Sequence, residues 1–233
     1  MKIEASLLKN FFEMVSLNDT VSELLLNCTN NGIEIRAVSQ DNTSMVIATL
    51  KRDAFKEYSA IGTIGLQDVS TVKNVINKFT GVIELIKSEN TVMFKAEHKN
   101  VEFEIVKEEY IAPVPVKDFT KVEYKEKIIL AAGVFVETIA DASINKDFTL
   151  DFVTTPASII IANTGKYKFK RSLPATCVGG VTVRFGNPLV NAVNGMTSGD
   201  LKVHLNNDFP IYIVQDTAQH KVELIVAPRT EME

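Results

Sequence analysis

The residues with the richest chemistry are three histidines and two cysteines, and their spacing gives them no joint task. His98, His204 and His220 fall on or beside strands in separate segments, and none stands at metal-ligand spacing from a second His or Cys. Cys28 and Cys177 lie in different halves and read as reduced, small core residues. No Gly-x-Ser-x-Gly elbow presents a serine nucleophile. Gly179-Gly180 and Gly186 lack the lysine and spacing of a phosphate loop. The neighbouring acids Glu108-Glu109 sit in a proline-bearing stretch and read as a solvated face. The chain therefore reads as a non-enzyme without cofactor or metal. The side chains left with a use are lysines on helix faces, and their value depends on the elements that carry them.

The formal net charge of −4 argues against gripping nucleic acid by bulk charge, while leaving room for a local basic stripe. Apolar content of 45% is enough for a folded core. Met1-Lys2-Ile3-Glu4 leads into a short strand and an amphipathic helix, not a signal peptide. No apolar run approaches the roughly 20 residues needed to span a bilayer. With the reduced cysteines, this places the chain inside the cell, with no membrane partner.

The chain is written twice. Residues 2–6 read as a strand, and residues 7–17 switch to helical period, with Leu7, Leu8, Phe11, Phe12 and Val15 on one stripe. Strands follow at 21–28, 32–37 and 45–51, with Thr29-Asn30-Asn31-Gly32 as a hairpin signal. Residues 52–58 suggest a short helical turn, and 63–66 a brief strand. A helix over 68–79 buries Val69, Val72, Ile76 and Phe79 and leaves Lys73, Asn74, Asn77 and Lys78 on its polar side. Strands at 82–87, 91–95 and 101–106 close the first half. Residues 107–120, with Pro113 and Pro115, form an extended linker. The order then restarts with a strand at 122–127, a helix at 128–141 and strands at 148–152, 158–162 and 167–171. Residues 176–185 are a β-rich run broken by Gly179-Gly180. A helix comes next at 187–196, capped by Asn187 with Pro188 in its first turn. Strands at 201–205, 211–214 and 222–226 end the chain. A period of about half the chain marks two similar modules.

This layout resembles the DNA sliding clamps of the proliferating-cell-nuclear-antigen type. Residues carry the resemblance as well as layout. Asn31-Gly32-Ile33-Glu34-Ile35-Arg36-Ala37-Val38-Ser39-Gln40-Asp41 is similar to the family's turn-and-strand segment. Ser44-Met45-Val46-Ile47-Ala48-Thr49-Leu50 and Phe55-Lys56-Glu57-Tyr58 are similar to the family's next strand and turn. Asp208-Phe209-Pro210-Ile211 resembles the proline-marked strand, and Val226-Ala227-Pro228-Arg229 the C-terminal ending. The resemblance covers nearly the whole chain. It departs in the second half, where helices 128–141 and 187–196 carry no Lys or Arg although family members place basic residues there.

The resemblance implies an α+β fold of two similar DNA-clamp domains, each a doubled βαβββ unit with helices on one face of antiparallel sheets. The domains would be 1–106 and 121–233, joined by a linker at 107–120. It implies a processivity factor that encircles double-stranded DNA as a homotrimeric ring and serves replication and repair without reading sequence. DNA polymerase, flap nuclease, ligase and clamp loader would dock on it through short peptide motifs. The helix faces would present Lys9, Lys73 and Lys78 to phosphates, with Lys125, Lys127 and Lys146 flanking the third helix. Lysines suit a sliding contact because they meet phosphates without fixed geometry. The partner-peptide pocket would be built from Val38, Val116, Phe119, Pro210, Ile225, Ala227 and Pro228. Edge strands carrying Val101, Phe103 and Ile105 at one end and Tyr167, Phe169 and Arg171 at the other would close the ring. The compartment would be the cytoplasm or nucleoid in an archaeon or virus, and the nucleus in a eukaryote. Two alternatives stand beside this reading: a subunit of a mixed ring, which the bare helices suit, and a β-rich structural assembly protein.

Overall fold

The computed structural model describes residues 1–114, 119–144, 148–164 and 166–229 of the 233-residue chain. The chain divides into two compact units, residues 1–115 with 217–222, and residues 116–216 with 223–233.

In the first unit, β1 (Lys2–Glu4) runs directly into α1 (Ala5–Val15). Then come β2 (Glu23–Thr29), β3 (Gly32–Val38), β4 (Ser44–Lys51), a single 3-10 turn at Arg52–Ala54 and β5 (Phe55–Glu57). The second repeat supplies β6 (Gly62–Gln67), α2 (Val69–Ile76), β7 (Val82–Lys87), β8 (Thr91–Ala96) and β9 (Lys99–Glu104). Strands β5-β1-β7-β8-β9 lie side by side, as do β4-β3-β2-β6, and the pairings are antiparallel. The first strand of each repeat is thus lent to the other repeat's sheet: β1 extends β7-β8-β9, and β6 extends β2-β3-β4. Residues 52–58, expected as a helical turn, form one at Arg52–Ala54 and then deliver β5 against β1, with Phe55 buried opposite Ile3.

Period-2 alternation builds the sheets. On β2, Leu24, Leu26 and Cys28 point inward while the residues between are half-exposed. The β2–β3 hairpin turns through Asn30-Asn31, with Thr29 paired to Gly32. Gly32 has φ 134°, and a Cβ there would stand 2.1 Å from the Leu50 carbonyl oxygen, so only glycine fits. Helix α1 buries Leu8, Phe11, Phe12 and Val15 as expected, and it packs on α2. Asp68 caps α2 by accepting the Thr71 N–H at 3.3 Å.

The second unit repeats the plan with β10 (Glu126–Ala131), α3 (Ala132–Ala142), β11 (Leu150–Thr155), β12 (Ser158–Asn163), β13 (Lys170–Pro174), β14 (Thr182–Phe185), α4 (Asn187–Val193), β15 (Asp200–Leu205), β16 (Ile211–Asp216) and β17 (His220–Val226). Its strand orders, β10-β15-β16-β17 and β13-β12-β11-β14, match β1-β7-β8-β9 and β4-β3-β2-β6 of the first unit, while β5 has no counterpart. Phe135, Phe152 and Phe185 form the aromatic centre of its core, with ring centroids 6.3 and 5.3 Å apart. The third helix starts four residues later than its sequence suggests. Residues 128–131 extend the strand, because Ile128 and Leu130 alternate inward with Lys127 and Ile129 outward. Asn187 lies inside α4 and Gly186 is its N-cap, without a side-chain cap bond.

Candidate nucleic-acid and partner interfaces

Lys9 is half-exposed on the solvent side of α1, and Lys78 is exposed just beyond the C-terminus of α2. Lys73 is elsewhere. Expected on the polar face, it is 5% exposed, and its Nζ lies 2.6 Å from Asp19 and 3.3 Å from Glu13. The reason is in the helix register: Val69, Val72, Lys73 and Ile76 stand at i, i+3, i+4 and i+7, so Lys73 belongs to the buried stripe. Its ammonium ties α2 to the end of α1 and to the turn behind it. That turn holds Leu17, Asn18 and Asp19 in left-handed conformation, at φ 48°, 55° and 64°. For Leu17 this is strained, and its complete burial offsets the strain.

In the second unit, Lys125 is exposed and donates to the Gly180 carbonyl at 3.1 Å. Lys127 sits in mid-strand on β10, not beside a helix. It shares the exposed side of the sheet with its register partner His204 and with Lys202, away from the buried side where Ile128 and Leu130 meet α3. It therefore does not join the helix-borne lysines. Burial, then Lys127, then Lys202 hold the His204 imidazole below its usual value. Lys146 lies outside the described residues. The solvent sides of α3 and α4 carry Glu137 and no cation.

β9 and β13 are edge strands, as β5 and β14 are at the other ends of the same sheets, and among the described residues no strand pairs with the outer side of β9 or β13. Val101 and Phe103 lie on β9, half-buried, with Phe103 edge-on to Phe94 at 5.8 Å. Ile105 falls just past the strand, where its N–H donates to the Asn90 carbonyl. On the other edge the expected strand at 167–171 is displaced: β13 begins at Lys170, so Tyr167 and Phe169 precede it and only Arg171 lies within it. The Asn163 side chain sets this start, its Oδ1 accepting the Phe169 N–H at 2.9 Å while its Nδ2 donates to the Ala142 carbonyl. The edges differ in charge. β9 exposes Glu102 and Glu104, whereas β13 carries Lys170 and Arg171 behind Lys166 and Lys168.

The expected pocket residues fall in both units. In the first, Val38 is half-buried at the end of β3 and lines a 300 Å³ pocket against Ile111–Val114. On the other flank of that segment a 390 Å³ pocket is floored by Leu25, Ile35 and Ile47. The Ala112 N–H donates to Glu23 at 3.3 Å and holds the segment over the sheet. In the second unit, Phe119 and Ile225 are buried at 8% and 5% exposure, while Pro210, Ala227 and Pro228 are half-buried. Val116 lies outside the described residues. One residue escaped sequence reasoning. Tyr124 packs against Phe209, His204 and Tyr212 with centroids 5.8, 5.4 and 6.1 Å away. Its hydroxyl is buried without a hydrogen-bond partner among the described residues, and burial pushes its pKa up to about 12. The available signal was a lone aromatic between Glu123 and Lys125, where a purely solvated stretch needs none. Among the described residues no group of three or more His, Cys, Asp or Glu is placed to hold a metal ion.

The profile of the proliferating cell nuclear antigen N-terminal domain matches residues 2–119. The DNA polymerase sliding clamp of Methanococcus maripaludis strain C7 is 24% identical over 235 residues, covering 92% of each chain. Among solved structures, the A. fulgidus PCNA bound to the C-terminal region of FEN-1 superposes with a TM-score of 0.85 at 23% identity, covering 100% of this chain and 98% of that one. The PCNA2-PCNA3 complex from Sulfolobus tokodaii gives 0.84 at 15% identity, covering 99% of both chains. At these identities the structural likeness speaks for the fold.

Proposed function

The chain belongs to the proliferating cell nuclear antigen family and is a DNA sliding clamp, and on that premise we propose that copies of it close head to tail into a three-membered ring around duplex DNA. The observation that carries the proposal is two edge strands of opposite charge, β9 acidic in the first unit and β13 basic in the second. Such edges complement each other between copies and not with themselves, which favours a closed heterologous ring over a two-fold dimer. The functional domains are residues 1–106 and 121–233, with 107–120 as the connection.

Lys9 and Lys78 face the duplex and contact phosphates weakly and without regard to sequence. Lys73 supports them by fixing α2 against α1. Retention comes from encirclement, so weak contact is an advantage: strong contact would stop sliding. Partner proteins insert a short apolar motif beside Val38 in the first unit, where residues 111–114 stand over the sheet. The A. fulgidus relative is bound by a segment of FEN-1, and a flap nuclease is a first partner to try here. Polymerase, ligase and clamp loader are the others. The chain itself carries out no catalytic step, and it works inside the cell.

Static light scattering on the purified chain tests ring closure, and a trimer mass is the expected result. Processive synthesis on circular primed DNA with a loader tests function. The absence of Lys and Arg from α3 and α4 favours one second reading, a subunit of a mixed ring whose other members supply the charge. A monomer that reaches trimer mass only with a second clamp chain would select it.

A further inference from the structure

The loop after α2 and the β8–β9 hairpin enclose a cleft of 780 Å³ within the first unit, lined by Lys2, Lys78, Lys95 and Lys99 and by the carboxylates of Glu84 and Glu97. Of these charges Lys2 is already ion-paired. Lys2 is held by Glu57 at 2.9 Å, with Glu84 also acting on it, and Glu97 lies 3.6 Å from His98. The Lys99 ammonium stands over the Phe79 ring, 4.5 Å from its centroid, on a residue that is half-exposed. Lys95 is exposed on β8 opposite Glu84 in register, yet no ion pair within 4 Å joins them. Lys78 likewise has no ion pair among the described residues. Three ammonium groups on three chain segments therefore converge on one open cleft, where with Lys2 the lysines outnumber the carboxylates of Glu84 and Glu97.

We propose that this cleft is a second phosphate-contact zone, through which Lys95 and Lys99 of the β8–β9 hairpin grip the duplex backbone alongside Lys78. The proposal rests on the clamp reading and extends the contact from the helices onto a sheet hairpin. Nucleic acid fits the cleft better than an acidic protein. The cleft offers no arginine, tyrosine or tryptophan, and its phenyl ring, Phe79, is 1% exposed, so it lacks the aromatic or Arg anchor on which protein hot spots depend. Flexible lysines around an open cleft suit a ladder of phosphates that presents one charge about every 1.7 Å of helix axis. Lys78 links the two zones, because it ends the helix and lines the cleft.

The test is anisotropy of a fluorescent duplex oligonucleotide titrated with the full chain across a salt series. Lys95→Gln/Lys99→Gln keeps the side-chain stems and removes two charges. Affinity falls several-fold, and the slope of log affinity against log salt becomes shallower by about 1.8. Lys95→Arg/Lys99→Arg retains wild-type behaviour, which separates loss of charge from loss of fold. An unchanged slope in the glutamine variant, with Lys78→Gln still lowering it, overturns the cleft and leaves the helix-face reading standing. Unchanged slopes in both variants overturn both. A polyglutamate peptide that binds through Lys95 and Lys99 while duplex binding ignores them also overturns the proposal and marks a protein-docking surface.

Discussion

Lys73 shows how one position on a helix decides what a charge can do. Its ammonium neutralises Glu13 and Asp19 between two helices and steadies a turn with three successive left-handed residues. Lys73→Met should lower stability by roughly 1–3 kcal/mol, since the two carboxylates left behind keep partial access to water. Denaturant midpoints check this, and an unchanged midpoint would show that the ion pair contributes nothing. His204 makes a second residue-scale prediction. Its folded pKa lies below the ordinary 6.5, because burial and two nearby lysines oppose a further positive charge. The unfolded chain therefore binds the proton more readily. The stability tied to neutral His204 is complete above 6.5 and declines as pH falls through the folded value. His204→Gln should flatten that decline, as read from unfolding midpoints over a pH series.

At the scale of elements, the loop between β13 and β14 is held by one buried acid. Glu126, 1% exposed, accepts the Val178 N–H at 2.8 Å, the Gly179 N–H at 2.5 Å and the Thr154 hydroxyl at 2.9 Å. Gly179 and Gly180 supply the φ of 88° and 75° that aim those amides at the carboxylate. Glu126→Ala should cost about 1–3 kcal/mol, because it strands the buried Thr154 hydroxyl and releases two partly exposed amides, and amide exchange across 178–181 should accelerate well before global unfolding. Exchange that stays as slow as in the parent would remove Glu126 from this role. In sequence the stretch was visible only as a β-rich run interrupted by two glycines, since an acid some fifty residues upstream leaves no local trace. The α3 boundary is a similar case. Ile128, Leu130 and Ala132 alternate like a strand while Ile128, Ala132, Phe135 and Ile139 recur like a helix. Pairing with β15 settles the matter in favour of the strand up to Ala131.

At the scale of the whole molecule, duplication governs the design. Each repeat lends its first strand to the other repeat's sheet, so a single βαβββ unit lacks both a complete sheet and a full cover for its helix. Two of the edge strands, β9 in the first unit and β13 in the second, carry opposite charges, which makes association testable. Glu102→Lys/Glu104→Lys, or Lys170→Glu/Arg171→Glu, should each shift the assembly towards monomer, and mixing the two variants should restore association between them. Light scattering reads the result, and rings that survive either reversal would remove these edges from the interface.

The succession of strands and helices, the half-chain repeat and the apolar stripes were legible in the sequence because periodicity and turn chemistry are local. So were β9 as an edge candidate before the linker and the lysine-free helices of the second half. Only the tertiary structure decided that Lys73 meets Glu13 and Asp19, that Lys127 sits on a sheet face away from the helices and that Lys78, Lys95 and Lys99 share a cleft. A side chain's solvent exposure depends on which distant segment packs over it, and one-dimensional spacing carries no record of that neighbour.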